Sequence, residues 1–473
     1  MTMTDYREFL HRKQQAPSKG GFEPLWLPDF LFDFQRSLVE WSIRMGRAAI
    51  FAECGLGKTP MQLVWAENVF RHTGKPVLIL APLAVGLQTV REGEKFGIAV
   101  EHSRDGQHSG GIVVTNYERL HYFDPKEFIG AVADESSAIK AFNGKRRKQV
   151  TRFFTKLPYR LLCTATPSPN DYIELGTASE CLGVMTQSDM LGYFFKENEN
   201  RRSTCFTDDK YSLAWTFKAH SEKPFWRWVS GWSRALQKPS DLGFDDTRFV
   251  LPPLNMHHTT IDAPYIPPGE LFPRPAISLA EQREERKRTV NLRCEKIAEI
   301  VDHDRPAIVW CHYNSEADLC EKLIPGSIQV AGRHDLDIKE QRLIDFATGN
   351  TRVLVTKPKI GCWGLNLQHC SDMTFFPTHS YEGFYQGIRR CWRFGQTRAV
   401  DVHVVSSEGE SRIINGLDRK QEQASNMFAS LVRHMNEATR MISEDNHDHN
   451  VEVPSWLTTQ PEREPPCPLL TNV

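Results

Sequence analysis

Neither sign of charge dominates this sequence: 58 lysines and arginines stand against 59 aspartates and glutamates over 473 residues, a formal net charge of −1. The global basic excess that marks many nucleic-acid binders is missing, so any such surface has to be local. No apolar run approaches the roughly 18 to 20 residues that a membrane span requires. Met1 to Gly20 is polar and has no apolar signal core. The expectation is a soluble, cytoplasmic chain without a membrane partner. Cysteine is present at 11 positions but without pattern, forming no Cys-x-x-Cys pair and no Cys/His cluster. Several cysteines stand in apolar runs such as Leu161-Leu162-Cys163 and Val309-Trp310-Cys311, as buried free thiols do. That argues against zinc and against disulfides.

What is present is a globular composition, 40% hydrophobic and 10% aromatic, in a chain long enough for two or three domains. Its organising stretch is Phe51-Ala52-Glu53-Cys54-Gly55-Leu56-Gly57-Lys58-Thr59. The apolar run Ala48 to Phe51 precedes it and suits a buried strand. Met61-Gln62-Leu63-Val64-Trp65 follows at helical spacing. Strand, glycine-bearing loop and helix together turn several backbone N–H groups into one concavity at the positive end of a helix, where phosphates are best held. Gly55 and Gly57 would shape that loop, Lys58 would reach the β/γ-phosphates and the Thr59 hydroxyl would ligate Mg²⁺. The pattern departs from the usual one at its first position, Ala52.

Upstream, Leu31 to Trp41 forms an amphipathic helix with Phe34, Leu38 and Trp41 on one face. Gln35 lies beside that face, either a solvated helix residue or the reader of a nucleotide's adenine edge, since an amide both donates and accepts. Downstream, Pro76 to Leu80, Ile112 to Val114 and Ile129 to Ala133 are short runs apolar on both faces, the habit of parallel strands covered by helices. The last ends in Asp134-Glu135-Ser136-Ser137. In a sheet that also carries a phosphate loop, Asp134 would hold Mg²⁺ and Glu135 would orient and deprotonate the attacking water. A further strand, Tyr159 to Cys163, ends in hydroxyls at Thr164 and Thr166 that would bond the acidic pair. Lys145-Arg146-Arg147-Lys148 is either a solvated basic face or a phosphate-backbone contact.

From 171 to 275 the composition shifts to clustered aromatics and proline pairs, which suggests a mainly helical insertion and linker, with its aromatics in a core and its surface open to a protein partner. Strands are then expected at Ala307 to Trp310, Ser327 to Val330, Arg352 to Val355, Met373 to Phe376 and Val400 to Val405, giving a second α/β domain without a phosphate loop. Its Gln386, Arg390 and Arg393 fall at i, i+4 and i+7 and so share a helix face. Arginine there either is an ordinary basic surface or reaches across to a γ-phosphate. The expected division is a mobile leader over 1–25, a first domain over 26–170, the insertion over 171–275, a second domain over 276–425, and a helix (Asn426 to Ile442) with a disordered tail over 426–473.

The ordered set of these segments resembles the Swi/Snf-like branch of the superfamily-two helicases and translocases. Ala52 to Thr59 is similar to its motif I, Ala81-Pro82-Leu83 to Ia, and Asp134 to Ser137 to II, with Ser137 where many members have histidine. Thr164 to Pro167 is similar to motif III, Gly361 to Leu367 to V and Gln386 to Gln396 to VI, while Gln35 stands where the family reads adenine. The resemblance implies two RecA-like domains closing over ATP and Mg²⁺, a monomer that moves along duplex DNA through backbone contacts, and a short phage or bacterial type. It implies Glu135, Arg390 and Arg393 as catalytic residues, with Gln35, Gly55, Gly57, Lys58, Thr59 and Gln386 around the nucleotide. Pro377-Thr378-His379-Ser380 departs from the family between motifs V and VI, and accessory chromatin domains are lacking. An ATP-regulated nucleic-acid clamp and an RNA helicase are the alternative functions.

Overall fold

A computed structural model describes residues 20–82, 85–139, 144–167, 172–197, 215–266, 271–272, 274–361 and 367–448. Leu83 and Cys362 to Asn366, named above for motifs Ia and V, lie outside them, as do 1–19 of the expected leader and 449–473 of the expected tail.

The strands, in chain order, are β1 (Arg47–Ala52), β2 (Val77–Ala81), β3 (Val100–His102), β4 (Ile112–Asn116), β5 (Gly130–Asp134), β6 (Tyr159–Thr164), β7 (Phe195–Glu197), β8 (Trp215–Phe217), β9 (Ser233–Leu236), β10 (Leu254–Ile261), β11 (Ala307–Trp310), β12 (Ser327–Val330), β13 (Val353–Thr356), β14 (Asp372–Phe375) and β15 (Val400–Ser407). Seven make one sheet in the order β3-β4-β2-β5-β6-β1-β9, and six make a second in the order β10-β15-β14-β11-β13-β12. Every pairing in both is parallel. The protein is therefore α/β with two parallel sheets. Central strands such as β2, with all five residues buried, show why: a parallel strand covered by helices on both faces needs apolar side chains on both. β7 and β8 form a separate antiparallel ribbon.

The stretch 171–275 is not one helical insertion, which corrects the expectation. It supplies an edge strand to each sheet: β9 pairs with β1, and β10 pairs with β15. Between β6 and β9 runs the helix α3 (Glu222–Trp232; helices are labelled in chain order after α1, Asp33–Met45, and α2, Lys58–Thr73). Its Phe225, Trp226, Trp228, Val229 and Trp232 are buried with Ala49 and Phe51 of β1 in the first lobe's core. The aromatic crowding is core, as expected, because α3 covers one face of the first sheet.

Two further boundaries move. Leu25 and Trp26 each donate a backbone N–H to Asn68 Oδ1, at 2.8 and 3.0 Å, and Phe22 stacks on His72 at 3.9 Å, so residues 20–25 belong to the first lobe. After α4 (Tyr381–Cys391), the last helix α5 runs unbroken over Ser411–Asp448, across the expected division at 425. Its Leu417 is in the second lobe's core, while Leu431, Val432 and Met435 pack with α3 in the first. The lobes are thus joined by α5 as well as by the segment between β9 and β10. A third tie is ionic, with Arg104 contacting Asp337 at 3.1 Å and Glu340 at 2.7 Å. Among the described residues no helix is long and apolar enough to cross a membrane.

Candidate functional site

The carboxyl ends of β1, β5 and β6 meet at the N-terminus of α2. Gly57 is the N-cap of α2, in the left-handed region at φ +73°, and Gly55 has φ +91°. Glycine alone adopts such angles without penalty. At Gly57 space also demands it, because a Cβ would lie 2.3 Å from Gln35 Nε2. The first turn of α2 carries N–H groups that no helical carbonyl satisfies, and the helix adds its positive end. Lys58 Nζ folds back onto the loop, donating to Ala52 O at 2.9 Å and Glu53 O at 3.2 Å.

Opposite stand the two carboxylates. Asp134 ends β5 and accepts from Gln62 Nε2 at 2.7 Å. Burial pushes its carboxyl up and the Gln62 bond offsets part of that. Glu135 is in the left-handed region at φ +54°, which costs a non-glycine residue energy and is found where a site holds a side chain in place. Its Oε1 accepts from Thr164 Oγ1 at 2.6 Å and Ser137 Oγ at 2.9 Å. The expected bond from the β6 hydroxyls to the acidic pair is therefore present at Thr164.

The second lobe closes the space. A cavity of about 480 Å³ is lined by Gln35, Gly55, Gly57, Lys58, Thr59, Asp134, Glu135, Arg390 and Arg393, among others. Arg390 is 4% exposed, and the Nε atoms of Arg390 and Arg393 are buried without a hydrogen-bond partner. Burial, and then the neighbouring Arg390, hold the Arg393 guanidinium below its ordinary value. Two adjacent cations with orphaned donors suit an anion between them.

Two expectations need correction. α4 stops at Cys391 with Trp392 as its C-cap, so Arg393 is not on the helix face of Gln386 and Arg390; it reaches the cavity from the turn beyond. Gln386 is 2% exposed, and it is not among the residues that line the cavity. The basic cluster is partly spent on ion pairs, Arg146 with Glu118 at 2.6 Å and Arg147 with Glu180 at 2.7 Å.

Sequence reasoning missed the aromatic end of the cavity. Phe30, Phe32, Phe96, Phe249 and Phe394 line it, with Phe249 stacked on Phe394 at 5.0 Å and Phe30 on Phe96 at 4.4 Å. The five come from four segments, with only Phe30 and Phe32 close in sequence, so no local spacing joins the set. Gln35 lies among them, its Oε1 accepting from Phe32 N and its Nε2 donating to Leu56 O.

No protein-family model matches the sequence. The chain is 27% identical over 168 residues to protein p41 of Acyrthosiphon pisum secondary endosymbiont phage 1, an alignment covering 30% of this chain and 36% of that protein. That name carries no activity.

Proposed function

We propose that the protein is an ATP hydrolase whose site is divided between its two lobes, and that it uses hydrolysis to move along DNA or to separate its strands. The observation that carries the first half is the lining of one cavity by Lys58 and Thr59 at the start of α2, Asp134 at the end of β5 and Glu135 just beyond it, and Arg390 and Arg393 of the other lobe. The triphosphate would lie along the loop and the first turn of α2, and the base toward Gln35 and the phenylalanines, where a planar ring finds stacking partners. Thr59 and Asp134 would hold Mg²⁺, with Gln62 orienting the carboxylate; when bound, the ion neutralises phosphate charge. Glu135, fixed by Thr164 and Ser137, would take the proton of a water that attacks the γ-phosphorus. The bond to the bridging oxygen breaks, and ADP and phosphate leave. Arg390 and Arg393 would stabilise the charge spread over the transferring group, which in such enzymes is worth on the order of 10³ to 10⁵ in rate.

The DNA half rests on the order of the motifs and their resemblance to the Swi/Snf-like branch, with two RecA-like lobes as the motor. A second reading, an ATP-regulated clamp without motor output, draws on the contacts that join the lobes directly, Arg104 to Glu340 among them. ATP hydrolysis measured with duplex DNA, single strands and RNA separates these. Stimulation by duplex DNA, with displacement of a triplex-forming strand, is the expected result. Nucleotide-dependent DNA binding without turnover would favour the clamp, and stimulation by RNA alone would reject the DNA assignment.

A further inference from the structure

We infer that Glu53, Tyr385 and Arg389 form a clasp between the lobes that positions Arg390 against the phosphate loop; this deepens the hydrolase reading and rests on it. Glu53 follows β1, and its N–H donates to Leu236 O at 3.0 Å, which fixes its backbone in the sheet. Its carbonyl accepts from Lys58 Nζ at 3.2 Å. Its carboxylate turns toward the other lobe: Oε1 accepts from Cys54 N at 2.7 Å and from the Tyr385 hydroxyl, and Oε2 lies 3.6 Å from Arg389. One residue therefore touches the loop lysine on one side and α4 on the other.

Tyr385 and Arg389 are i and i+4 on α4 and share a face. The Arg389 guanidinium sits 5.3 Å from the Tyr385 ring centroid and 4.4 Å from that of Trp392, so its orientation is held by two aromatic rings. It lines a separate space of about 150 Å³ with Glu53 and Tyr385, not the larger cavity. Arg390 is one residue on, a rotation of about 100° around the helix, and it does line the larger cavity. The two arginines are thus divided between tasks, Arg389 anchoring α4 and Arg390 facing the ligand. Glu53 is 8% exposed, and a buried carboxylate needs all of these partners.

Positioning makes a claim that packing does not. Displacement of a catalytic group by about 1 Å costs about 10²-fold in rate, whereas nucleotide affinity comes from the loop itself. The test compares full-length protein with Tyr385→Phe, Glu53→Gln and the double variant, in ATP turnover and in direct nucleotide binding. Each single variant is expected to lose about 10- to 100-fold in kcat with less than about 3-fold change in nucleotide Kd. The double variant is expected to be no slower than the slower single one, because both loosen the same clasp, Tyr385→Phe at the hydroxyl bond and Glu53→Gln at the charge facing Arg389. Unchanged kcat in both single variants, or equal losses in kcat and affinity, would overturn the clasp while leaving the hydrolase intact. If the unmodified protein does not turn over ATP, the hydrolase reading fails on its own, and amide hydrogen exchange of the nucleotide-free protein decides. Faster exchange over 53–58 and 385–393 in Tyr385→Phe supports the clasp, and unchanged exchange rejects it.

Discussion

Replacing Gly57 by alanine probes the glycine turn before α2 with a single methyl group. Two separate costs follow from the structure. The first is conformational: φ is +73°, and an L-residue in the left-handed region loses roughly 1 to 2 kcal/mol. The second is contact, since the new Cβ would fall 2.3 Å from Gln35 Nε2, too close for any real pair of atoms, with Pro60 Cγ at 3.4 Å. The Gln35 amide must swing away, which breaks its bonds to Leu56 O at 2.9 Å and from Phe32 N at 3.1 Å. At about 1 kcal/mol for each hydrogen bond, the whole change comes to about 3 to 4 kcal/mol. Gly74 provides the control, because it has φ +66° and nothing within 4 Å of an added Cβ, so Gly74→Ala meets only the conformational cost. Urea unfolding followed by tryptophan fluorescence is expected to place Gly57→Ala about 2 kcal/mol below Gly74→Ala. Nucleotide affinity should fall in the first variant and not in the second. Adding Gln35→Ala to Gly57→Ala should then cost less than the same change in the unmodified chain, since the Gln35 bonds are already broken. Equal destabilisation by Gly57→Ala and Gly74→Ala would refute the account of the Gln35 contact.

Arg293 is fully buried, with Nη1 3.0 Å from Glu316 and 3.8 Å from Glu410. Arg293→Ala leaves the buried Glu316 without its cation, while Glu410 keeps Arg286 at 2.8 Å, and should cost about 3 to 5 kcal/mol in thermal or urea unfolding. Trp232 is also fully buried, against Phe51 and Trp228, and Trp232→Ala should cost about 3 to 5 kcal/mol through the cavity it leaves. Burial first, then Arg104 and Arg119, push the His102 imidazole down to about 4 from an ordinary 6.5. Between those values the unfolded chain binds a proton that the folded chain does not, so stability falls as pH drops from about 6.5 to about 4. His102→Gln should flatten unfolding curves across that window, and an unchanged pH slope would reject this assignment.

The parts of this structure that local pattern specifies are legible in the sequence. Strands β2, β5, β11 and β13 are short apolar runs buried on both faces, and the strand, glycine turn and helix around Gly55 and Gly57 and the strand ending at Asp134 stand where the apolar pattern puts them. The edge strands were not legible. β10 reads Leu-Asn-Met-His-His-Thr-Thr-Ile and is mostly exposed, so no apolar pattern marks it. β9 contains Arg234 and begins where α3 ends, and only pairing with β1, more than 180 residues earlier, makes it a strand. The end of α4 was misplaced because nothing in Cys391-Trp392-Arg393 breaks a helix; the first glycine is Gly395. Glu53 and Tyr385 lie 332 residues apart, and their contact has no trace in either local segment.

The split between gripping ATP and turning it over tests the shared site most directly. ATP affinity and DNA-stimulated hydrolysis, measured side by side for the unmodified protein, Lys58→Ala and Arg393→Ala, should separate the lobes' tasks. Lys58→Ala is expected to lose both, and Arg393→Ala to bind nucleotide within about 3-fold while losing at least about 10³-fold in turnover. Full hydrolysis by Arg393→Ala, or by Lys58→Ala, would contradict a site built from both lobes.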